Sequence, residues 1–319
     1  MTESERGVRA LIAAATIFGL ASLLFHQLSH VPPMELLAHR ILWSFVTLVI
    51  VILLGKRRDE VRAAWAARDR RGIYVAAAAL LGLVWLLFIH AVTTGQAIEA
   101  SLGFYTMPLI AVGLAFAFLG ERFTFWQYAG LALAVVAVAV LMAGSGRLPV
   151  LALAVGFGLA FYGFLVRRLK STATAVFFVE TSVLMGPALI WLIGAHAFGW
   201  TDATGREGGA FGSDLKTTAL MILSGPLVTV LPMILFNHGT QHTNFATSGL
   251  IFYINPTLQF LVALLVFGEA LTRWQEVAFP LLWIGLLIYS VDSLRRQRGR
   301  KNSDPPPSPA LHPFHPGRM

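Results

Sequence analysis

Ten hydrophobic runs of about 20 residues recur along most of this chain, and they constrain its fold more than any other feature. At a rise of about 1.5 Å per residue, a helix of that length crosses the ~30 Å hydrocarbon core of a bilayer. Lipid offers backbone N–H and C=O groups no partner, so each run is predicted to be a helix. The predicted spans are 7–27, 34–55, 72–95, 98–119, 125–143, 148–167, 171–197, 216–241, 245–268 and 273–292. The fold class that follows is an all-α membrane protein with ten transmembrane helices.

The composition excludes an ordinary soluble protein. Of the 319 residues, 56% are hydrophobic and 13% are charged, whereas soluble domains have roughly 25% charged residues. The chain has no cysteine, which excludes disulfides, thiolate metal sites and cysteine nucleophiles. A second span follows the first hydrophobic run at once, so we interpret that run as a retained helix and not as a cleaved signal peptide.

The net charge of +8 is explained by membrane topology, and no nucleic-acid partner is expected. The basic residues lie in the short segments between the runs, where an excess of Lys and Arg marks the cytoplasmic side. With both termini in the cytoplasm, 19 Lys and Arg residues fall inside, four fall outside and Arg40 lies within a span. We therefore predict a multi-pass protein of the plasma (inner) membrane, with the 198–215 loop outside. The lipid bilayer is one partner, and the basic tail is expected to meet its anionic headgroups.

An internal duplication divides the chain. When the sequence is shifted by 148 positions, 85–127 aligns with 233–275 and 13 of the 43 pairs are identical. The predicted units are 1–145 and 146–294, with five spans each, followed by a disordered, basic and proline-rich cytoplasmic tail at 295–319. Because five is odd, the second unit begins on the opposite side of the membrane, and the repeats are inverted. Inverted repeats are typical of secondary transporters, whose substrate site lies near mid-membrane at the repeat interface.

Several short motifs resemble those of a known family. They are His39-Arg40-Ile41-Leu42-Trp43-Ser44, Trp85-Leu86-Leu87-Phe88, Glu99-Ala100-Ser101-Leu102-Gly103-Phe104-Tyr105 with Pro108, Gly120-Glu121-Arg122-Phe123, Phe161-Tyr162-Gly163, Glu180-Thr181 and Gly268-Glu269. As a set they are similar to RarD proteins, in the EamA branch of the drug/metabolite transporter (DMT) superfamily, and the similarity runs through all ten spans. The resemblance implies two inverted five-helix repeats, EamA-like, around a central cavity. It also favours export as the direction of transport.

Ionisable groups inside the spans are the first candidates for a substrate site, because a charge near the bilayer centre costs at least ~2.5 kcal/mol. Arg40 lies roughly 10 Å deep in span two, and Glu180 lies in span seven, reached from the cytoplasmic side. We predict that both contact substrate, with Arg40 as a fixed cation for an anionic or carboxylate group. The alternative is architectural, with Arg40 paired to a carboxylate such as Glu180. His39 belongs to the predicted substrate site, and Glu35, about one turn earlier, is placed to form a local network with it.

Two proline-containing helices supply the predicted cavity lining. Pro108 and Pro256 each remove a backbone hydrogen bond inside spans four and nine, which predicts helix kinks. Aromatic and polar side chains are predicted to line the cavity, most of them near these kinks: Tyr105, Tyr253, Trp85, Asn255 and Gln259. Aromatic walls suit planar or amphipathic solutes. The alternative for each aromatic residue is packing or contact with lipid.

A repeated histidine is a candidate for proton coupling. His90 and His238 occupy equivalent positions in spans three and eight, near opposite faces of the membrane. Imidazole changes charge between about pH 5 and 8, so these two residues and Glu35 form the predicted gating or proton-coupling set. The alternative is that both histidines are helix-end residues inherited by duplication. His242 follows His238 at a spacing that suits a metal, but no third ligand is evident, and no metal site is predicted.

The predicted function is a secondary transporter, a permease or exporter of a small organic solute, drug or metabolite, that works by alternating access. A membrane channel, a lipid flippase and a non-transporting membrane sensor are the alternatives. No compact set of catalytic groups indicates an enzyme, and no cofactor is predicted. The chain lacks a nucleotide-binding motif such as G-x-x-x-x-G-K-[ST], which leaves proton coupling, exchange or facilitated diffusion open. The small-molecule substrate is not identified by the sequence, and both a monomer and a homodimer are compatible with it.

Overall fold

The computed structural model describes residues 3–119, 124–146, 148–169, 171–243, 248 and 251–303. The motif at 120–123 lies outside these residues. Within them the chain is mainly helical and contains no strand, only an isolated antiparallel bridge between Thr201 and Glu207. The helices are α1 (Glu3–Gln27), α2 (Pro33–Leu54), α3 (Arg58–Ala66), α4 (Arg71–Thr93), α5 (Ala97–Leu119), α6 (Phe125–Ser145), α7 (Val150–Val166), α8 (Ala173–Phe198), α9 (Leu215–Ser224), α10 (Leu231–His242), α11 (Ile254–Leu265) and α12 (Arg273–Ser303).

These helices confirm the predicted all-α membrane architecture. Seven segments are long and apolar enough to cross a membrane: Glu5–Gln27, Pro33–Leu54, Arg68–Thr93, Phe125–Gly144, Ala173–Phe198, Leu215–His242 and Arg273–Asp292. Three shorter apolar helices, Ala97–Ala111, Val150–Val166 and Ile254–Leu265, lie at the other three predicted spans. The eighth span consists of α9 and α10 joined by a π-turn.

The helix contacts follow a pseudo-two-fold pattern. Helices α1, α2, α4, α5 and α6 correspond in order to α7, α8, α9 with α10, α11 and α12. The contact of α5 with α7 is matched by that of α11 with α1, and the contact of α4 with α7 is matched by that of α10 with α1. Three further contacts, α2 with α8, α5 with α11 and α6 with α12, join equivalent helices. The contacts made by the first set of five helices are thus repeated by the second set.

Glycine allows the equivalent helices α6 and α12 to approach closely. A Cβ added at Gly130 would lie 2.8 Å from the carbonyl oxygen of Gly285, and one added at Gly285 would lie 2.9 Å from the carbonyl oxygen of Gly130. Both distances are shorter than real Cβ contacts, so only glycine fits at either position. Small residues in membrane helices permit this kind of backbone contact.

The longer segments outside the spans are the 56–71 linker, the 198–215 loop and the C-terminal tail. Helix α3, in the predicted cytoplasmic linker, is largely exposed and rests on α8 through the buried Ala64. Asp214 caps the start of α9, and the hydrogen bond from Thr217 holds its pKa below the usual range.

Helix α12 continues to Ser303, so the first part of the predicted disordered tail is helical. Residues 304–319 lie outside the described part of the chain.

Candidate substrate site

Four polar side chains of α2 face the protein interior together. His39, Arg40, Trp43 and Ser44 lie within an arc of about 140° on the helix, given 3.6 residues per turn. His39 and Arg40 are only 3% and 4% exposed, and Ser44 is fully buried. In the described part of the chain, five of the eight buried side-chain polar atoms that lack a hydrogen-bond partner belong to these residues. This stretch of α2 therefore concentrates unused hydrogen-bonding capacity inside the membrane-spanning region.

Arg40 is held by one hydrogen bond and two aromatic rings. Its Nε donates to the hydroxyl of Thr229 at 2.9 Å. Its guanidinium carbon lies 4.2 Å from the ring centroid of Trp85 on α4 and 5.5 Å from that of Phe25 on α1. Cation–π contacts of this kind contribute about 2 kcal/mol when they are desolvated. Neither ring carries a charge that could neutralise the guanidinium.

No carboxylate pairs with Arg40 among the residues that the structure describes. Glu180, the partner considered from the sequence, accepts its hydrogen bond from Tyr162 and not from Arg40. One terminal nitrogen of Arg40, NH1, has no hydrogen-bond acceptor there. A buried cation is stable only if it is paired and hydrogen-bonded. Within the described part of the chain Arg40 forms no such ion pair, and the N–H groups of NH1 are available to an anion.

A π-turn places the partner of Arg40. Residues Pro226–Val230 form one π-helical turn between α9 and α10. The Thr229 hydroxyl, which accepts from Arg40, donates in turn to the carbonyl of Ser224 at 2.8 Å. A Cβ added at Gly225 would overlap the backbone of α2, so glycine lets the turn approach α2 closely. π-turns inside helices are frequent at functional sites.

Residues 199–214, called the lid loop below, fold over the end of this site. The buried carboxylate of Glu35 accepts the backbone N–H groups of Gly209 at 2.9 Å and Phe211 at 3.2 Å. Arg206 donates to the backbone carbonyls of Val31 at 3.4 Å and Thr93 at 3.1 Å. Glu35 therefore does not join His39 and Arg40 in a network. Instead it attaches the lid loop to α2.

The lid loop also covers His39. The ring of Phe211 stacks on the His39 imidazole with centroids 4.4 Å apart, and it lies 6.3 Å from the ring of Trp43. Both ring nitrogens of His39 lack a hydrogen-bond partner among the described residues. The lid loop thus closes the site next to two residues that carry unused donors.

The predicted aromatic lining divides between two regions: Trp85 lies beside Arg40, whereas Tyr105 and Tyr253 lie at a separate cavity. Tyr105 of α5 hydrogen-bonds with Thr257 of α11 at 2.8 Å. A cavity of about 360 Å³ lies between α5, α11 and α12. Its lining is Tyr105, Tyr253, Thr257, Trp283, Leu286, Leu287 and Ser290. Among these residues, only Tyr105 and Tyr253 were predicted to line a site.

The two prolines differ in their effect on the backbone. Helix α5 continues through Pro108, whereas the ninth span is interrupted at Tyr253 and resumes with α11, which has Pro256 in its first turn. Asn255 and Gln259 are both 2% exposed, and the Gln259 amide donates to Asn255 at 2.8 Å. The structure does not bring these two residues into contact with Arg40.

Sequence comparison identifies the family. Residues 5–143 match the model of the EamA-like transporter family. A protein of Salmonella typhimurium, Protein RarD, is 32% identical over 296 residues, which cover 93% of this chain and 98% of the relative. A protein of Vibrio cholerae described as an uncharacterized transporter is 33% identical over 293 residues, covering 92% and 94%. The chain belongs to the RarD family of EamA-like transporters. It is accordingly a multi-pass membrane protein of a transporter family.

A crystal structure supports the fold of this RarD-family chain. It superposes with a TM-score of 0.56 at 19% identity, and the match covers 91% of this chain and 98% of the other. At that identity the likeness shows the fold alone.

Three contact residues in this RarD-family protein were not predicted from its sequence. Thr229 binds Arg40, Tyr162 binds Glu180 and Phe211 covers His39. Tyr162 stood in a family motif without an assigned role. The prolines on either side of Thr229, Pro226 and Pro232, were a signal for an irregular helix. Nothing in the sequence of the loop singles out Phe211.

The repeated histidines lie at matching places in their helices. His90 is partly exposed and lies three residues before the end of α4, while His238 is exposed and lies four residues before the end of α10. The His238 ring lies 4.3 Å from that of His242, whose Nδ1 is hydrogen-bonded to the His238 backbone carbonyl. No group of three metal-ligating side chains occurs in the described residues.

Proposed function

We propose that this protein is a secondary transporter that moves a small organic anion across the inner membrane by alternating access. The observation that carries the proposal is Arg40, a buried guanidinium without a carboxylate partner among the described residues. A carboxylate bound at NH1 would supply the missing charge and acceptor. Arg is suited to this because its planar fork matches a carboxylate with two parallel hydrogen bonds.

The surroundings of Arg40 favour a solute with an apolar, planar body. Trp85 and Phe25 flank the guanidinium, and the Trp43 indole N–H is a further buried donor without a partner in the described chain. Substrate sites of this type combine aromatic walls with a few fixed polar groups. A small aromatic carboxylate fulfils both requirements.

Alternating access is supported by the repeat architecture and by the lid loop. Inverted repeats allow one group of helices to rock against the other around a central site. Glu35 and His39 both contact the lid loop, which closes Arg40 from one side. We place this side outside and both termini in the cytoplasm, in agreement with the distribution of Lys and Arg. The proposal assigns binding and transport to these residues, and no catalysis.

Binding is tested on the purified protein with matched pairs of ligands. Benzoate and benzamide have the same ring but differ in charge, and a ligand that binds the folded state raises the melting temperature. We expect benzoate to stabilise the wild type more than benzamide does. Hydrogen bonds to charged groups contribute about 1.5–3 kcal/mol, so Arg40→Gln should weaken benzoate binding about tenfold or more. Arg40→Lys keeps the charge but loses the fork, and should bind with intermediate affinity.

The exposed Arg273 provides the control, because Arg273→Gln removes one positive charge from α12, a helix that packs on α5 and α6. Equal stabilisation by benzoate and benzamide, or benzoate binding by Arg40→Gln like that of the wild type, would contradict the anion site. Flux of labelled benzoate into proteoliposomes then separates the functional classes. A transporter gives saturable flux with counterflow, a channel gives flux that does not saturate, and a sensor gives none.

A further inference from the structure

Glu180 is a buried acid that the substrate site does not use. It lies on α8, and its exposed fraction is 0%. Phe177, one turn earlier, meets the Trp85 ring edge to face at 5.8 Å, and the same Trp85 ring lies under Arg40 at 4.2 Å. One aromatic ring thus links the helix of Glu180 to the guanidinium of Arg40.

The hydrogen bonding of Glu180 is that of an acid without a counterion. Its Oε2 accepts from the Tyr162 hydroxyl at 3.1 Å. Its Oε1 is buried and has no hydrogen-bond partner among the described residues, and no cation forms a salt bridge with either oxygen there. An ionised carboxylate in such a place costs several kcal/mol, and the neutral acid costs less. The arrangement fits a carboxyl group that carries a proton.

Apolar side chains separate Glu180 from water. One cluster, with Leu48, Phe177 and Val230 at its core, packs on Trp85 and Tyr162. A second cluster, with Val176 and Val179, lies toward the start of α8. Because its side chain is fully buried, we expect proton exchange at Glu180 to need movement of the surrounding helices.

The other titratable groups around α8 are engaged elsewhere. On α4, the Tyr74 hydroxyl donates to Ser171, and on α3, Glu60 accepts from Thr172. On α2, Arg40 is bound to Thr229 and Trp85. Tyr162 on α7 is thus the polar neighbour of Glu180 in the described structure. The remaining charged residues of α3 are exposed, and His90, near the end of α4, is partly exposed.

We infer that Glu180 is a proton-carrying site, which takes up one H⁺ and releases one H⁺ in each transport cycle. In the conformation described here, the carboxyl O–H is intact and Tyr162 donates to the other oxygen. When helix movement admits water, the O–H bond breaks, the proton passes to water and the carboxylate remains. Uptake of a proton from the other side restores the acid. This coupling rests on the proposed transport function, but the protonation of Glu180 does not.

Infrared difference spectroscopy tests the site without any substrate. A protonated carboxylic acid has a carbonyl stretching band that a carboxylate lacks. We expect the wild-type protein at neutral pH to show this band and Glu180→Gln to lose it. Glu276→Gln, at an exposed acid in the first turn of α12, should keep it. In D₂O the band should shift to lower frequency, because a carried proton exchanges with solvent.

Two further measurements separate a carrier from a merely structural acid. Tyr162→Phe removes the hydrogen bond to Oε2 and should shift the band without abolishing it. Raising the pH removes the proton from the wild type and leaves an uncompensated carboxylate, so its melting temperature should fall, whereas that of Glu180→Gln should not. A spectrum unchanged by Glu180→Gln, or a band that never shifts in D₂O, would overturn the inference.

The outcomes also distinguish the two proposals. If the Glu180 band shifts in D₂O but Arg40→Gln binds benzoate like the wild type, the anion site is refuted and the proton site is retained. Benzoate binding that depends on Arg40, without a Glu180 band, refutes the proton site alone.

Discussion

Replacing Glu35 should detach the lid loop. Both carboxylate oxygens accept backbone N–H groups, that of Gly209 at 2.9 Å and that of Phe211 at 3.2 Å, and the side chain is fully buried. Glu35→Ala leaves both donors without an acceptor, at about 1–3 kcal/mol each. A decrease of about 3 kcal/mol in the free energy of loop opening corresponds to a roughly hundredfold larger population of the open loop. Glu35→Gln keeps one oxygen but turns an NH₂ group toward an N–H donor, so about half of the loss is expected.

Hydrogen–deuterium exchange of the purified protein measures this opening directly. Amides in locally opened segments exchange at a rate set by the free energy of opening. The amides of 199–214 should exchange about a hundredfold faster in Glu35→Ala than in the wild type, while those of α4 and α8 should not change. Glu207→Gln is the matched control, because Glu207 lies in the same loop with an exposed side chain. If Glu35→Ala and Glu207→Gln exchange at the same rate as the wild type, Glu35 does not hold the lid loop.

Three other predictions address topology, proton exchange and packing. On this cysteine-free background, a cysteine at the exposed Ala203 of the lid loop should react with an impermeant reagent from outside and one in the C-terminal tail should not; the reverse pattern contradicts the orientation. Replacement of His90 or His238 by Gln should alter the pH profile of uptake from that residue's own side, and unchanged profiles in both variants would leave the histidines with a structural role. Gly225→Ala should destabilise the protein by about 1–3 kcal/mol through overlap with the α2 backbone. Gly186→Ala should not, because a Cβ added there meets nothing within 4 Å. Equal melting temperatures of the two variants would contradict the close approach of Gly225 to α2.

Much of the fold could be predicted from the sequence, because its determinants are local. A run of about 20 apolar residues becomes a helix wherever it lies in a bilayer. The predicted spans 34–55 and 171–197 correspond closely to Pro33–Leu54 and Ala173–Phe198. Charged residues are costly in lipid, so Arg40 and Glu180 could be singled out from the sequence as candidates for the substrate site. Both side chains are buried in the structure.

The partners of those residues could not be predicted from the sequence. Arg40 meets Thr229 across 189 positions, and the lid loop returns to Glu35 across 174. From the sequence, Arg40 was paired with Glu180 and Glu35 was grouped with His39. Helical spacing and the equivalence of the two repeats were the only guides to which residues lie close together. The aromatic residues Tyr105 and Tyr253 were grouped with Arg40 for the same reason, but they line a separate cavity.

The sequence by itself determined the helices, the duplication and the types of residue that the membrane has to accommodate. These follow from the length of apolar runs, from identity between two segments and from the cost of a charge in lipid, all of which are properties of short stretches of chain. Only the tertiary structure decided that Arg40 has no carboxylate partner in the described chain and that Glu180 bonds to Tyr162. Hydrogen bonds and ion pairs depend on distances of a few ångströms between helices, and these are fixed when the two repeats pack against each other.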